Sequence, residues 1–122
     1  MALILLVEDD PNQCVLYEEE LKREGHEVIT ARDGKEAISR VESVRPDLVV
    51  MDISMPGMDG IEAMSRMLAR DHKLPVILNS AYATYKENFR AWSADAYVVK
   101  SSDLTELKDA IQRVLEARKG KA

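Results

Sequence analysis

Six side chains that can bind cations or take part in group transfer stand directly after short apolar stretches of the chain. They are Glu8, Asp9 and Asp10 after the first stretch, Asp52 after the third, Ser80 after the fourth and Lys100 after the fifth. Several carboxylates in one crevice repel one another, and such a cluster is tolerated chiefly when a divalent cation lies among them. Few protein ligands, with room for water and a phosphate, suit Mg²⁺ better than Ca²⁺. If these residues meet in the fold, we expect them to bind Mg²⁺.

Asp52 is the best candidate for a nucleophile in this group. A carboxylate can attack phosphorus to give an aspartyl phosphate, and a metal ion reduces the repulsion between the two anions. Asp52 directly follows the apolar residues 48–51, and the Met-Pro-Gly sequence at 55–57 turns the chain behind it. Lys100 could neutralise the incoming oxygens, and the Ser80 hydroxyl could donate a hydrogen bond to them. This pattern favours phosphoryl chemistry at Asp52 over a solvated loop carboxylate.

The elements that would bring these residues together alternate along the chain. A short apolar stretch followed by an amphipathic one occurs five times, which is typical of a parallel sheet covered by helices. The predicted strands are residues 2–7, 27–31, 48–51, 75–79 and 96–99. Four are apolar nearly throughout, as strands buried on both faces are, and the less apolar 27–31 is expected at an edge. In such an open, doubly wound α/β sheet, ligands bind beyond the carboxyl ends of the strands.

Apolar residues at helical spacing predict the helices, and we interpret all of these stripes as core. The stripes are Cys14, Tyr17 and Leu21; Ile38, Val41 and Val44; Ile61, Met64 and Leu68; and Leu104, Leu107, Ile111, Val114 and Leu115. Asp10, which precedes a proline, is typical of an N-cap and is therefore left out of the metal ligands. Asp33 and Glu36 have the spacing of a capping box, and Gly25 is expected in the left-handed conformation that ends the first helix. The helix predicted at 84–92 is expected to be short and mobile.

Composition and charge exclude several other classes of protein. A chain of 122 residues suits one domain, and we expect residues 1–122 to form it. A net charge of −5 argues against direct nucleic-acid binding, which depends on clustered Lys and Arg. The apolar residues 2–7 are too few for a signal peptide or a membrane span. Cys14 is the only cysteine, so the chain cannot form an internal disulfide and the cytoplasm is the expected compartment.

Four segments resemble the signature blocks of response-regulator receiver domains. They are LILLVEDDP, LVVMDISMPGMDG, PVILNSA and DAYVVK, each at a predicted strand end. One block alone is weak evidence, but four in the right order, spanning nearly the whole chain, form a highly specific combination. The resemblance implies a flavodoxin-like (β/α)5 fold, which is a doubly wound five-stranded parallel sheet with strand order 2-1-3-4-5.

The resemblance also implies roles for the residues at the strand ends. Asp52 would accept a phosphoryl group from a phosphohistidine of a sensor histidine kinase or a phosphotransfer protein. Asp9, Asp52 and the backbone carbonyl of Ser54 would hold Mg²⁺, and Glu8 would reach the ion mainly through water. Lys100 would contact the phosphoryl group. Such a protein catalyses only its own phosphorylation and dephosphorylation, so we expect no turnover of an external substrate.

The same resemblance implies how phosphorylation would be transmitted. Ser80 would contact the phosphoryl group and move toward it, and Tyr97 would change rotamer as its aromatic partner. Ser54 and Tyr82 would modulate the access of hydrolytic water. The helix at 84–92, the last strand and the last helix would form the output surface. This surface would bind a downstream effector protein, with no direct contact to nucleic acid or membrane.

The chain departs from the family pattern next to the lysine. Most receivers carry proline there, usually after a cis peptide bond, whereas Ser101 follows Lys100 in this chain. A cis bond before a residue other than proline costs about 2.5–4 kcal/mol. We therefore expect a trans bond, with the Lys100 ammonium group re-aimed by a different loop path. Ser80, where threonine is usual, keeps the hydroxyl and should loosen the switch more than abolish it.

Two other functions stay open from the sequence. A magnesium-dependent phosphohydrolase could use the same aspartyl phosphate, but such enzymes commonly carry a second Asp two residues after the nucleophile, where this chain has Ser54. A pseudo-receiver could bind proteins without being phosphorylated, but the full acidic set argues against it. Multiple-turnover release of phosphate from a generic ester would favour the first alternative. Absence of any Mg²⁺-dependent tryptophan quenching would favour the second.

Overall fold

A five-stranded parallel sheet with helices on both faces forms the part of the chain that the computed structural model describes, residues 2–52, 60–81 and 94–119. The strands are β1 (Leu3–Val7), β2 (Glu27–Ala31), β3 (Leu48–Met51), β4 (Val76–Ser80) and β5 (Ala96–Val99). Their order is β2-β1-β3-β4-β5, so the predicted topology is confirmed. The described helices are α1 (Pro11–Arg23), α2 (Gly34–Val44), α3 (Gly60–Arg70) and α4 (Thr105–Lys119). None of these helices is long and apolar enough to cross a membrane.

Each face of the sheet packs against two of the described helices. Side chains alternate along a strand, so Leu5 and Val7 of β1 join α2 and α3 on one face, while Ile4 and Leu6 join α1 and α4 on the other. The strands β1, β3 and β4 are buried along nearly their whole length, which explains their continuous apolar sequence. The edge strand β2 is only partly buried, as its mixed sequence predicts.

The predicted apolar stripes are buried or partly buried, with one exception. Tyr17 and Leu21 of α1, and Leu107 and Ile111 of α4, are buried against the sheet. Val44 is 37% exposed, so its predicted place in the core is wrong. It is the last residue of α2. Arg45 follows with a φ of 55° and ends the helix, so no further helical turn covers Val44. The partly buried members of the stripes pack against the same core: Cys14, Ile38, Ile61, Leu68, Leu104, Val114 and Leu115.

Helix caps determine where the chain turns near the first strand ends. Asp10 Oδ1 accepts hydrogen bonds from the backbone N–H groups of Asn12 at 2.9 Å and Gln13 at 3.3 Å, so Asp10 is the N-cap of α1, as predicted. Asp33 caps α2 in the same way, by accepting a 2.8 Å hydrogen bond from a backbone N–H of the first turn. Gly25 follows α1 with a φ of 93°, which confirms its predicted left-handed conformation. The first turn of α1 is therefore fixed beside the acidic residues that follow β1.

Candidate functional site

The ends of four neighbouring strands place the candidate residues at one edge of the sheet, which we call the rim. Strands β1 and β3 pair in register to their last residues, so Glu8 and Asp52 follow at the same level. The backbone N–H of Asp52 continues this ladder by donating to the Val7 carbonyl oxygen at 3.3 Å. Strands β4 and β5 also pair to their last residues, and the Lys100 N–H donates to the Ser80 carbonyl oxygen at 2.7 Å. Pairing of the strand backbones thus brings these residues to the same edge of the sheet.

Three carboxylates meet at the rim. One oxygen from each of Glu8, Asp9 and Asp52 lies within 4.8 Å of the others. Glu8 is only 2% exposed and Asp52 is 8% exposed, whereas Asp9 is open to solvent. Hard oxygen donors this close together suit a hard divalent cation, and the exposed side leaves room for water. The structure therefore brings together the three predicted carboxylate ligands, and their chemistry fits Mg²⁺.

Lys100 reaches the carboxylates from the end of β5. Its Nζ donates hydrogen bonds to Glu8 Oε1 at 2.7 Å, to Asp52 Oδ2 at 2.9 Å and to Gln13 Oε1 at 2.7 Å. An ammonium group carries three N–H donors, so this arrangement supplies an acceptor for each of them. The side chain of Lys100 is 13% exposed, which leaves little water around the charge. Lys100 thus places a positive charge directly against the acidic group.

The loop after Lys100 is held by short side-chain turns. No cis peptide bond occurs in the described ranges, so the Lys100–Ser101 bond is trans, as predicted. The ammonium group nevertheless lies against Asp52, so the expected change of loop path has not taken it away from the carboxylate. Ser101 Oγ accepts a hydrogen bond from the Asp103 N–H at 3.1 Å, and Asp103 Oδ1 accepts one from the Thr105 N–H at 2.9 Å. These two bonds connect Lys100 to the start of α4 without a proline.

Burial and charge act in opposite directions on the pKa values of this site. Burial raises the pKa of Glu8 above its usual value, and the hydrogen bonds from Lys100 and the Asp10 N–H offset only part of this. Burial lowers the pKa of Lys100, but the hydrogen bonds and charges of Glu8 and Asp52 outweigh it and raise that pKa above its usual value. Lys100 therefore remains protonated at neutral pH.

Gln13 is a residue of the site that the sequence reasoning missed. It lies in the first turn of α1, and its side chain is the third acceptor of the Lys100 ammonium group. A glutamine near the start of a helix is common, so the residue type alone carried no signal. The available signal was its position, because a helix that begins just after Glu8 and Asp9 must start at the same rim.

Ser80 and Tyr97 lie on the sheet face covered by α2 and α3. Ser80 is the last residue of β4, whereas the sequence predicted that it directly follows the strand. It is fully buried. Tyr97 is 5% exposed and belongs to the same apolar cluster as its register partner Leu78. Ser80 follows Leu78 by two positions, so its side chain points to the same face. The two predicted switch residues are therefore on one side of the sheet.

The remaining predictions fall on residues that the structure does not describe. They concern Ser54 as a metal ligand and modulating residue, Tyr82 as a modulating residue, and the output helix at 84–92. Strand β5 and helix α4, the other two parts of the predicted output surface, are described and pack against each other.

The fold and the rim define an open, doubly wound α/β domain with an acidic group and a lysine at the carboxyl ends of its strands. Residues 4–112 match the family model of the response regulator receiver domain. The chain belongs to this family.

Two curated relatives match this chain over very different shares of their own length. The sporulation initiation phosphotransferase F of Bacillus subtilis is 34% identical over 114 residues, which cover 92% of this chain and 92% of that protein. The regulatory protein AtoC of Escherichia coli is 39% identical over 116 residues, which cover 93% of this chain. The match spans only 25% of AtoC, so most of AtoC has no counterpart in this chain.

Solved structures agree with the family assignment. The response regulator TrrA of Thermotoga maritima, in complex with Mg²⁺-BeF, has a TM-score of 0.87 at 41% identity, covering 93% of this chain and 98% of TrrA. TrrA in complex with the histidine kinase ThkA has a TM-score of 0.86 at 41% identity, covering 94% of this chain and 99% of TrrA.

Proposed function

We propose that this domain accepts a phosphoryl group on Asp52 from a phosphohistidine of a sensor kinase or a phosphotransfer protein, in a Mg²⁺-dependent reaction in the cytoplasm. The observation that carries the proposal is the 2.9 Å hydrogen bond from Lys100 Nζ to Asp52 Oδ2 within the acidic group. TrrA, a relative with the same fold, has been crystallised with a histidine kinase and with Mg²⁺-BeF. Both observations support the proposal.

In the proposed reaction, an oxygen of the Asp52 carboxylate attacks phosphorus. The O–P bond forms as the P–N bond of the phosphohistidine breaks, and the imidazole leaves with the electron pair and takes a proton from solvent. The acidic group is where Mg²⁺ would bind, with Asp9, Asp52 and the Ser54 carbonyl as direct ligands and Glu8 mainly through water. The ion would offset negative charge on the transferring oxygens.

Lys100 is proposed to bind the phosphoryl group once it is attached. Its Nζ already contacts one oxygen of Asp52, so a phosphoryl group on that carboxylate would lie within reach of the ammonium group. Glu8, which is only 2% exposed, keeps a second hydrogen bond to Nζ and holds the charge at the rim. Its N–H donors can rotate about the Cε–Nζ bond to meet the phosphoryl oxygens while the charge stays in place.

Phosphorylation is proposed to reach an effector protein through Ser80 and Tyr97. The buried Ser80 hydroxyl would move toward the phosphoryl oxygens, and the Tyr97 ring on the same face would change rotamer. Strand β5 and helix α4, with the helix predicted at 84–92, would form the surface that the effector binds. Ser54 and Tyr82 are proposed to tune how fast water removes the phosphoryl group.

The direct test is to label the protein with a small phosphodonor. Incubation with acetyl phosphate and Mg²⁺ should add one phosphoryl mass to the wild type and none to Asp52→Asn, measured by intact-protein mass spectrometry. Asp10→Asn is the matched control, because it removes a carboxylate near the rim while asparagine is still a good N-cap. Equal labelling of the wild type and Asp52→Asn would refute the proposal.

We also propose that the domain does not turn over an external substrate. Phosphate release should therefore not exceed what the labelled Asp52 itself can supply from the phosphodonor, and generic phosphate esters should not be hydrolysed. Sustained release from such an ester, abolished in Asp52→Asn, would instead identify a phosphohydrolase.

A further inference from the structure

Gln13 makes a contact that none of the roles above requires. Its Oε1 accepts a hydrogen bond from Lys100 Nζ at 2.7 Å, which is as short as the contact between Nζ and Glu8. Its own backbone N–H is bound by Asp10 Oδ1, so the side chain extends from a fixed first turn of α1. The residue is partly buried beside the ammonium group. Gln13 thus links the capped first turn of α1 to the lysine side chain of the site.

We propose that Gln13 is a positioning residue that holds the Lys100 ammonium group at the rim while Asp52 is phosphorylated. The proposal rests on the proposed phosphorylation of Asp52. Two of the three acceptors of Nζ are the carboxylates of Glu8 and Asp52, and both of these are also candidates for binding the cation. The amide oxygen of Gln13 has no net charge and is outside the acidic group. It is therefore the contact that can persist when the carboxylates change partners.

The trans Lys100–Ser101 junction explains why such a contact matters in this chain. The loop after Lys100 is exposed and is held by single side-chain hydrogen bonds at Ser101 and Asp103. A lysine side chain has four rotatable bonds, so a backbone held in this way does not determine where its ammonium group lies. Preorganised charge is most effective when it does not have to move into place during the reaction. Gln13 supplies that fixed point from a different element of the fold.

The first test compares Gln13→Leu with Asn12→Leu. Asn12 is the exposed neighbour in the same helical turn, so the control makes a similar amide-to-apolar change away from Lys100. With acetyl phosphate at saturating Mg²⁺, we expect Gln13→Leu to be phosphorylated roughly three- to tenfold more slowly than the control, as the loss of one hydrogen bond implies. The affinity for Mg²⁺ alone should be unchanged, because Gln13 contacts the ammonium group and is not one of the three carboxylates.

The second test observes the ammonium group directly and needs no phosphorylation. In a ¹⁵N-labelled protein at low temperature, the NH₃⁺ protons of Lys100 should exchange slowly with water in the wild type and faster in Gln13→Leu. Lys108, whose Nζ is bound by Glu20 Oε2 at 2.9 Å, is the internal reference and should not change.

The outcomes separate this proposal from the proposed function. If the wild type is labelled, but Gln13→Leu matches Asn12→Leu in both phosphorylation rate and proton exchange, the positioning role is wrong while the proposed function stands. If the Mg²⁺ affinity of Gln13→Leu falls by the same factor as its phosphorylation rate, Gln13 supports the whole site. The specific role in positioning Lys100 is then also wrong. If the wild type is not labelled, the proposed function fails, and the role of Gln13 in phosphorylation fails with it.

Discussion

Replacing Lys100 by Met tests whether the ammonium group offsets the free-energy cost of burying the carboxylates of Glu8 and Asp52. Methionine keeps an unbranched side chain but removes the charge and its hydrogen bonds of 2.7 Å to Glu8 and 2.9 Å to Asp52. These carboxylates, 2% and 8% exposed, would then lose the charge of Lys100 that lies against them. Removing one partner of a buried ion pair costs about 3–5 kcal/mol, and the partial exposure of Lys100 favours the lower end, about 3 kcal/mol.

The assay is thermal unfolding followed by circular dichroism at neutral pH, with EDTA present. The entropy of unfolding is about 2.1 cal/mol/K per residue, so 122 residues give roughly 0.26 kcal/mol/K. A loss of about 3 kcal/mol then lowers the midpoint by about 12 °C. Added Mg²⁺ should raise the midpoint of Lys100→Met more than that of the wild type, because a bound cation replaces part of the missing charge.

Lys108→Met is the matched control for this experiment. It removes a hydrogen bond of the same length, 2.9 Å to Glu20 Oε2, but from a pair whose side chains are 27% and 24% exposed. Exposed ion pairs contribute little to stability, so the control should unfold within about 3 °C of the wild type. Similar small shifts for both variants would refute the reasoning, because the carboxylates at the rim would then not depend on Lys100.

Two further predictions concern Glu8 and Asp10. Burial raises the pKa of folded Glu8 above 4.5, so its ionisation costs stability; that cost is absent well below pH 4.5 and complete above the raised pKa. The free energy of unfolding, measured with urea in EDTA, should therefore fall with rising pH between these limits more steeply in the wild type than in Glu8→Gln. Equal pH dependence in the two proteins would contradict the raised pKa of Glu8. Asp10→Ala removes the N-cap of α1 and should cost about 1 kcal/mol, or roughly 4 °C in midpoint. Asp10→Asn should stay close to the wild type, and an equal loss in both variants would show that the charge matters more than the cap.

The sequence was sufficient to predict that Glu8, Asp9, Asp52 and Lys100 meet at the rim. Strands β1, β3 and β4 are buried on both faces, so their apolar sequences are continuous. A polar residue marks where each strand ends: Glu8 follows β1, Asp52 follows β3 and Ser80 is the last residue of β4. In a parallel sheet all these ends point the same way, so knowing the ends was enough to group the side chains. The helix that begins after Asp10 was predictable for the same local reason, since a cap acts on its own first turn.

Contacts that depend on tertiary geometry were not predictable in this way. The hydrogen bond between Gln13 and Lys100 joins two elements, and nothing in the local sequence of either one indicates it. Val44 has the helical spacing of a core residue, yet its exposure is decided by where α2 stops and Arg45 turns the chain. Periodicity identifies the face of a helix, but it does not tell how far along the sheet that face remains covered.

The hydrogen bond between Lys100 and Glu8 joins residues 92 positions apart, so we expect it to form late in folding. The acidic residues after β1 and β3 can come together before β5 has docked, but Lys100 reaches them only when β5 is in place. Contacts between distant segments form late because their loop-closure entropy must first be overcome. Before β5 docks, these carboxylates thus lack the charge of Lys100, so we expect electrostatic attraction, in addition to apolar burial, to favour the docking of β5 and α4.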